Sequence, residues 1–190
     1  KQAADDGKSP LYIAAQNGHV DVCRLLVERG AEVKQARDTG WSPLYIAALF
    51  GHVDVCRLLV KRGADVGCLD GKGMRMLLMH AAKRGDASMC RLLVERDADM
   101  KQADEDGSSP LLTAADEGRA DVCRLLVERG ADVKQATNDG TSPLFIAAEK
   151  GLVDVCRLLV KRGADVNLAK KNGESPLFIA VQKGRVDVCR

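Results

Sequence analysis

Displaced by 33 residues, the chain falls onto itself. Gly7 lands on Gly40, Ser9-Pro10-Leu11 on Ser42-Pro43-Leu44, and Cys23-Arg24-Leu25-Leu26-Val27 on Cys56-Arg57-Leu58-Leu59-Val60. The register runs through Gly18, Gly51, Gly85, Gly118, Gly151 and Gly184, in steps of 33 residues except for 34 between Gly51 and Gly85. A fixed period of this size marks stacked supersecondary units, and it takes precedence over any single-residue motif.

One period shows what each unit must be. In the second, residues 38–70, Asp38-Thr39-Gly40 is a turn signal. Ser42 suits a helix N-cap and Pro43 the first helical position, where the missing N–H is no loss. A short helix then runs over Leu44 to Phe50, with Ala47 and Ala48 small enough for close approach of a neighbour, and Gly51 ends it in a left-handed cap. A second helix follows over about His52 to Arg62. Val55, Leu58, Leu59 and Arg62 fall at i, i+3, i+4 and i+7, and Cys56 and Val60 widen the apolar stripe. Asp54 near its start and Lys61 and Arg62 near its end suit the helix dipole. Gly63 closes it, and Ala64-Asp65-Val66 leads extended into the next turn. A unit this small cannot bury its own apolar faces, so neighbours must bury them for it.

Composition agrees. The 190 residues are 46% hydrophobic but only 3% aromatic, so the core is built from Leu, Val, Ile and Ala. With 29 basic and 27 acidic residues interspersed, the net charge of +2 offers no basic field for nucleic acid or membrane. No apolar run approaches a bilayer span, and no signal segment opens the chain.

The motif Gly-x-Ser/Thr-Pro-Leu-x-x-Ala-Ala-x-x-Gly-(His), followed by Leu-Leu-x-x-Gly-Ala-Asp-Val, resembles the ankyrin repeat, and it recurs along essentially the whole chain. The resemblance implies an all-α fold: an α-solenoid of stacked antiparallel helix pairs with projecting hairpin-like loops, curved around a concave groove in which partners bind. One departure is general. Where the family favours a His that hydrogen-bonds the motif Thr, this chain has Tyr12, Tyr45, Met79, Leu112, Phe145 and Phe178, so apolar packing must replace that bridge.

The expected organisation is a tail of a preceding repeat at 1–4, then repeats at 5–37, 38–70, 71–104, 105–137 and 138–170, and a shortened sixth at 171–190. Lys1-Gln2-Ala3 matches Lys34-Gln35-Ala36, and Arg190 falls early in a second helix, so both ends read as cut from a longer array. The third repeat is irregular. It carries the extra residue between Gly71 and Leu78, and has Met76-Leu77 where others have Ser-Pro. Its first helix therefore reads as lacking an N-cap, at a cost of about 1 kcal/mol. Asp97 replaces the glycine that closes the second helix. Drift and a distorted finger kept for a partner or a hinge are both open readings.

Six of the seven cysteines (Cys23, Cys56, Cys90, Cys123, Cys156 and Cys189) share one repeat position. Equivalent sites on stacked helices lie roughly 8–10 Å apart, beyond the about 7 Å that a disulfide spans. They read as small core residues kept reduced in an intracellular, cytoplasmic or nuclear setting. Cys68 stands apart in a loop. His19 and His52 occupy a helix-start position, and His80 reads as packed rather than liganding. No phosphate loop, metal motif or nucleophile elbow is present, so no cofactor, metal site, catalytic residue or small-molecule substrate is expected.

Under the ankyrin-like geometry, the positions that vary between repeats line the groove. Repeat one offers Lys8 and Gln16 there, repeat three Lys72, and repeat four Asp116 and Glu117. Repeat two places the only Trp, with Leu49 and Phe50, where its neighbours place polar residues. The expected partner-binding residues are Asp38, Trp41, Tyr45, Leu49, Phe50, Met74, Lys83 and Arg84, with the aromatics as anchors and the cations meeting an acidic segment. The alternative is that Trp41 and Phe50 simply cover the irregular loop of repeat three. The function expected is a non-catalytic scaffold binding another protein or peptide at repeats two and three. Alternatives are a targeting or assembly domain of a larger enzyme, channel or receptor, and a self-associating array.

Overall fold

The computed structural model describes residues 8–36 and 41–190. Among these the chain is helical without strands. Its elements are α1 (Pro10–Gln16), α2 (Val20–Glu28), α3 (Pro43–Leu49), α4 (Val53–Lys61), α5 (Gly71–Arg84), α6 (Ala87–Val94), α7 (Pro110–Asp116), α8 (Ala120–Glu128), α9 (Pro143–Lys150), α10 (Val153–Lys161), α11 (Pro176–Gln182) and α12 (Val186–Cys189), with one 3₁₀ turn at Val66–Cys68. Two compact units divide the chain, one comprising Lys1–His80 with Arg96–Ala98, the other Ala81–Glu95 with Asp99–Arg190.

The repeated Ser-Pro pair sets the start of the first helix in five repeats. Ser9, Ser42, Ser109, Ser142 and Ser175 are extended, and each side chain accepts from the backbone N–H three residues on. In the first four of these repeats the next apolar residue is buried: Leu11, Leu44, Leu111 and Leu144 are at most 3% exposed. Within the first unit α1 packs on α2 and α3, and α4 on α2 and α3. Within the second α7 packs on α8 and α9, and α9 on α10 and α11. Each stripe thus meets its own partner and the neighbouring pair, which is why it is wider than one contact needs.

Contacts of several kinds tie successive repeats among the described residues. The residue after a capping glycine lies over the glycine of the repeat before, as His52 does over Gly18, Arg119 over Gly85, Leu152 over Gly118 and Arg185 over Gly151. Its head group also reaches back: His52 Nε2 lies 3.0 Å from the Gln16 carbonyl, and Arg119 and Arg185 Nε donate to the carbonyls of Lys83 and Glu149. Arg62 pairs with Glu28, Arg129 with Glu95 and Arg162 with Glu128 at 3.2–3.3 Å. Where Lys61 replaces the carboxylate, Arg96 turns to Asp65 at 3.1 Å. These pairs are exposed and fix register more than they stabilise. The loops after α6, α8 and α10 close as hairpins through Asp104, Thr137 and Lys170 N–H bonds to the carbonyls of Ser108, Thr141 and Glu174. Asn138 and Lys171 N–H groups donate to the carbonyls of Asp106 and Asp139, joining successive loops.

Repeat three corrects the sequence reading. Its first helix is not uncapped. It starts at Gly71, six residues ahead of Leu77, the position equivalent to the usual first proline. Asp70 is its N-cap: Oδ1 accepts from Gly73 N–H at 2.7 Å, and the Asp70 carbonyl accepts from Met74 N–H. Where the hairpin loop was expected, α5 therefore has extra helical turns, and the distorted finger is absent. Asp86 caps α6 through the Met89 N–H, whereas the other second helices have no side-chain cap. His80 lies over Gly51, which accounts for that histidine. Asp97 holds φ 62° in the expected left-handed site.

Candidate interaction surface

The capped helix α3 presents its last turn and the residue just before its cap on one side of the first unit. Trp41 stands just before the cap and stacks on Tyr45, with ring centroids 5.3 Å apart at 28°. Tyr45 is buried, and its hydroxyl donates to Asp70 Oδ2 at 3.0 Å. Burial, and then the hydrogen bond to the Asp70 carboxylate and its charge, hold the phenol above its ordinary range. Gly73 leaves room for this contact, since a Cβ there would crowd the Tyr45 ring at 3.1 Å. At the other end of α3, Phe50 stacks on His52 with centroids 6.3 Å apart. Trp41 stays 40% exposed and Phe50 56%, in a chain whose framework Leu and Ala are mostly buried.

Between them lies a depression of about 440 Å³. Trp41, Leu49 and Phe50 form one wall, Tyr12 and Gln16 of α1 another, and Lys72 and Met76 of α5 a third. Lys8 closes the rim. The extra turns of α5 thus supply a wall, and the aromatics share the depression with that helix rather than covering a loop.

The expected residues divide accordingly. Trp41, Leu49 and Phe50 line the depression together. Tyr45 supports it from the core. Met74, expected in a loop, sits within α5 and is 9% exposed, because the Asp70 cap carries the helix back through it. Lys83 and Arg84 are exposed on the last turn of α5 but belong to the second unit and do not line the depression. Asp38 lies outside the described residues. Sequence reasoning missed Met76, Tyr12 and Ile46 as lining residues. Met76 replaces the Ser of the repeated Ser-Pro, and that departure was the available signal.

The second unit holds a larger cavity of about 620 Å³, walled by apolar residues of α10 and α11 such as Val160 and Leu177, with Arg157 and Lys161 at its edge. Among the described residues no helix is long and apolar enough to cross a membrane, and no group of three or more His, Cys, Asp or Glu side chains could hold a metal ion. No disulfide joins any of the seven cysteines. Cys23, Cys56, Cys90, Cys123 and Cys156 are buried, as expected, whereas Cys189 is exposed with Cys68. Burial raises Cys23 and Cys156 from 9.0 to about 11, raises Cys90 and Cys123 to about 12, and pushes Cys56 upward as well.

The family model for ankyrin repeats (3 copies) matches residues 1–70, 63–137 and 133–190. The chain belongs to the ankyrin-repeat family. Its fold is similar to that of a crystallised ankyrin repeat domain from Acinetobacter baumannii AYE, at a TM-score of 0.70 and 26% identity, covering 95% of this chain and 94% of that one. Curated protein sequences gave no match. The position that holds His in the family holds Tyr45, whose polar partner is the cap of the following repeat's helix rather than a Thr of its own.

Proposed function

We propose that this chain is a non-catalytic protein-interaction module that takes a segment of a partner polypeptide in the depression lined by Trp41, Leu49, Phe50 and Met76. The observation that carries this reading is the pair of exposed aromatic rings at its rim, each already stacked on a neighbouring ring. Aromatic anchors that are ordered before binding lose little conformational entropy when a partner arrives. Ankyrin repeats are generally protein-interaction modules, which supports the class of function. The test places a photo-crosslinking residue at Phe50 and compares adducts formed in cell extract with those of the same protein carrying Trp41→Ala. Adducts that vanish in the Trp41→Ala background are expected. An unchanged set of adducts would show that the depression is not the site.

A further inference from the structure

We propose that Asn172 is a self-modifying site. Its side chain deamidates through the backbone nitrogen of Gly173, and the hairpin before α11 holds that reaction back until it opens.

Two asparagines precede glycine, Asn17 and Asn172. Such a pair is reactive because glycine has no side chain to crowd its own nitrogen. That nitrogen gives its proton to solvent and bonds to the asparagine Cγ. The Cγ–Nδ2 bond breaks, and Nδ2 takes a proton from solvent and leaves as ammonia. Water then opens the cyclic imide. Cleavage of the new N–Cγ bond gives aspartate, and cleavage of the original peptide bond gives isoaspartate. Only water is consumed.

The fold treats the two pairs differently. Asn17 is the C-cap of α1, with ψ 1°. That angle eclipses the Gly18 nitrogen with Asn17's own nitrogen and so turns it away from the side chain it would attack. The His52 ring lies over Gly18, and its Nε2 meets the Gln16 carbonyl, which holds the turn in that form.

Asn172 is exposed in the hairpin, with Gly173 at φ 85°. Hydrogen bonds restrain it. Gly173 N–H donates to the Lys170 carbonyl at 2.9 Å, which withholds the proton that the attack must release. Asn172 Oδ1 accepts from Glu174 N–H at 3.1 Å, and Nδ2 donates to Glu174 Oε2 at 2.8 Å, which fixes the leaving amide. Opening the hairpin frees the nucleophile and the amide together, in water.

The two preceding hairpins hold Asp106 and Asp139 at this position, with Ser108 and Thr141 where this one has Glu174. Conversion of Asn172 to aspartate therefore sets a second carboxylate against Glu174, and repulsion replaces the Nδ2 bond. Isoaspartate also lengthens the backbone by one methylene. Either product loosens the hairpin, and with it the Lys171 N–H bond to the Asp139 carbonyl.

The experiment holds the full chain at neutral pH over weeks. Peptides are cut out with pepsin at acid pH, where the reaction is slow. Mass spectrometry scores the gain of an amide becoming an acid, and chromatography separates isoaspartate. A capped synthetic peptide of residues 168–177 sets the rate of the open pair. Asn172 should convert more slowly than in that peptide, and Asn17 should remain an amide. Glu174→Ala should speed conversion about three- to tenfold, the worth of one hydrogen bond. Glu174→Gln, which keeps an acceptor oxygen, should stay near the parent. Circular dichroism checks that each variant is folded.

No conversion of Asn172 in the parent while the peptide converts would overturn the site. Conversion in the parent as fast as in the peptide, or a rate unchanged by Glu174→Ala, would overturn the restraint by the hairpin. Conversion of Asn17 at the rate of Asn172 would overturn the distinction drawn between the two pairs.

Discussion

Gly51 and Gly63 both hold positive φ, 72° and 92°, and both end a helix in the second repeat. They differ in what surrounds them. A Cβ on Gly51 would lie 2.7 Å from the His80 ring, whereas a Cβ on Gly63 meets nothing within 4 Å. Alanine at Gly63 should therefore cost only the left-handed backbone term, about 1 kcal/mol. Alanine at Gly51 should cost that and a further ~1–3 kcal/mol, because His80 must leave its place. Urea denaturation of the two variants measures the difference. Equal losses would mean that the stacked ring moves without resistance and that the residue over each glycine is not a tie between repeats. The same comparison bears on Trp41 and Phe50. Their rings are placed by stacking on Tyr45 and His52, and His52 is itself seated over Gly18. The anchors of the candidate site are therefore held by framework contacts that recur along the chain.

Helix α5 is where local sequence and tertiary context disagree. Gly71 and Gly73 read as a turn, and glycine in a helix costs roughly 0.5–1 kcal/mol relative to alanine. The helix forms through them because Asp70 caps it and because glycine at 73 lets the turn lie against the Tyr45 ring without crowding it. Two substitutions separate these causes. Tyr45→Phe removes the phenol hydrogen bond to Asp70 and leaves the cap, and should cost about 1 kcal/mol. Asp70→Ala removes both and should cost ~1–2 kcal/mol, chiefly at the start of α5. Amide exchange provides the readout. The Gly73 and Met74 N–H groups, whose acceptors are the Asp70 side chain and carbonyl, should exchange faster in Asp70→Ala and stay nearly unchanged in Tyr45→Phe. Equal acceleration in both variants would assign the extra turns to the Tyr45 contact and not to the cap.

Across the whole chain, what the sequence made legible was whatever recurs. The Ser-Pro start, the closing glycines and the Leu and Cys stripe appear in repeat after repeat, and the helices fall where those signals put them. Trp41, Leu49 and Phe50 were legible by the opposite route, as departures at positions that are otherwise polar. Met74 and the start of α5 were not legible. One inserted residue moved the cap upstream to Asp70, and its effect depends on a tyrosine 25 residues away. Met76 escaped because its position is an N-cap elsewhere and a groove wall only here. The cysteines allow a test on the same scale, since buried thiols lie in both compact units. Burial raises Cys23 and Cys156 to about 11 and Cys90 and Cys123 to about 12, each from 9.0. A thiol whose pKa is raised by folding binds its proton more tightly in the folded state. Its contribution is fully present below about pH 9 and is lost as pH climbs towards the folded value, since only the unfolded chain then ionises. Each such thiol should lower stability by up to about 1.4 kcal/mol per pH unit within that window. Tyr45, shifted in the same direction, adds to the loss at the upper end. The urea midpoint by circular dichroism should therefore be flat from pH 7 to 8.5 and fall steeply between pH 9 and 11. Cys123→Ala should lower the midpoint at pH 7 by leaving a small cavity, yet fall less steeply above pH 9 by about one thiol's share. Parallel slopes for the parent and Cys123→Ala would mean that lysine neutralisation, and not the buried thiols, drives the alkaline loss.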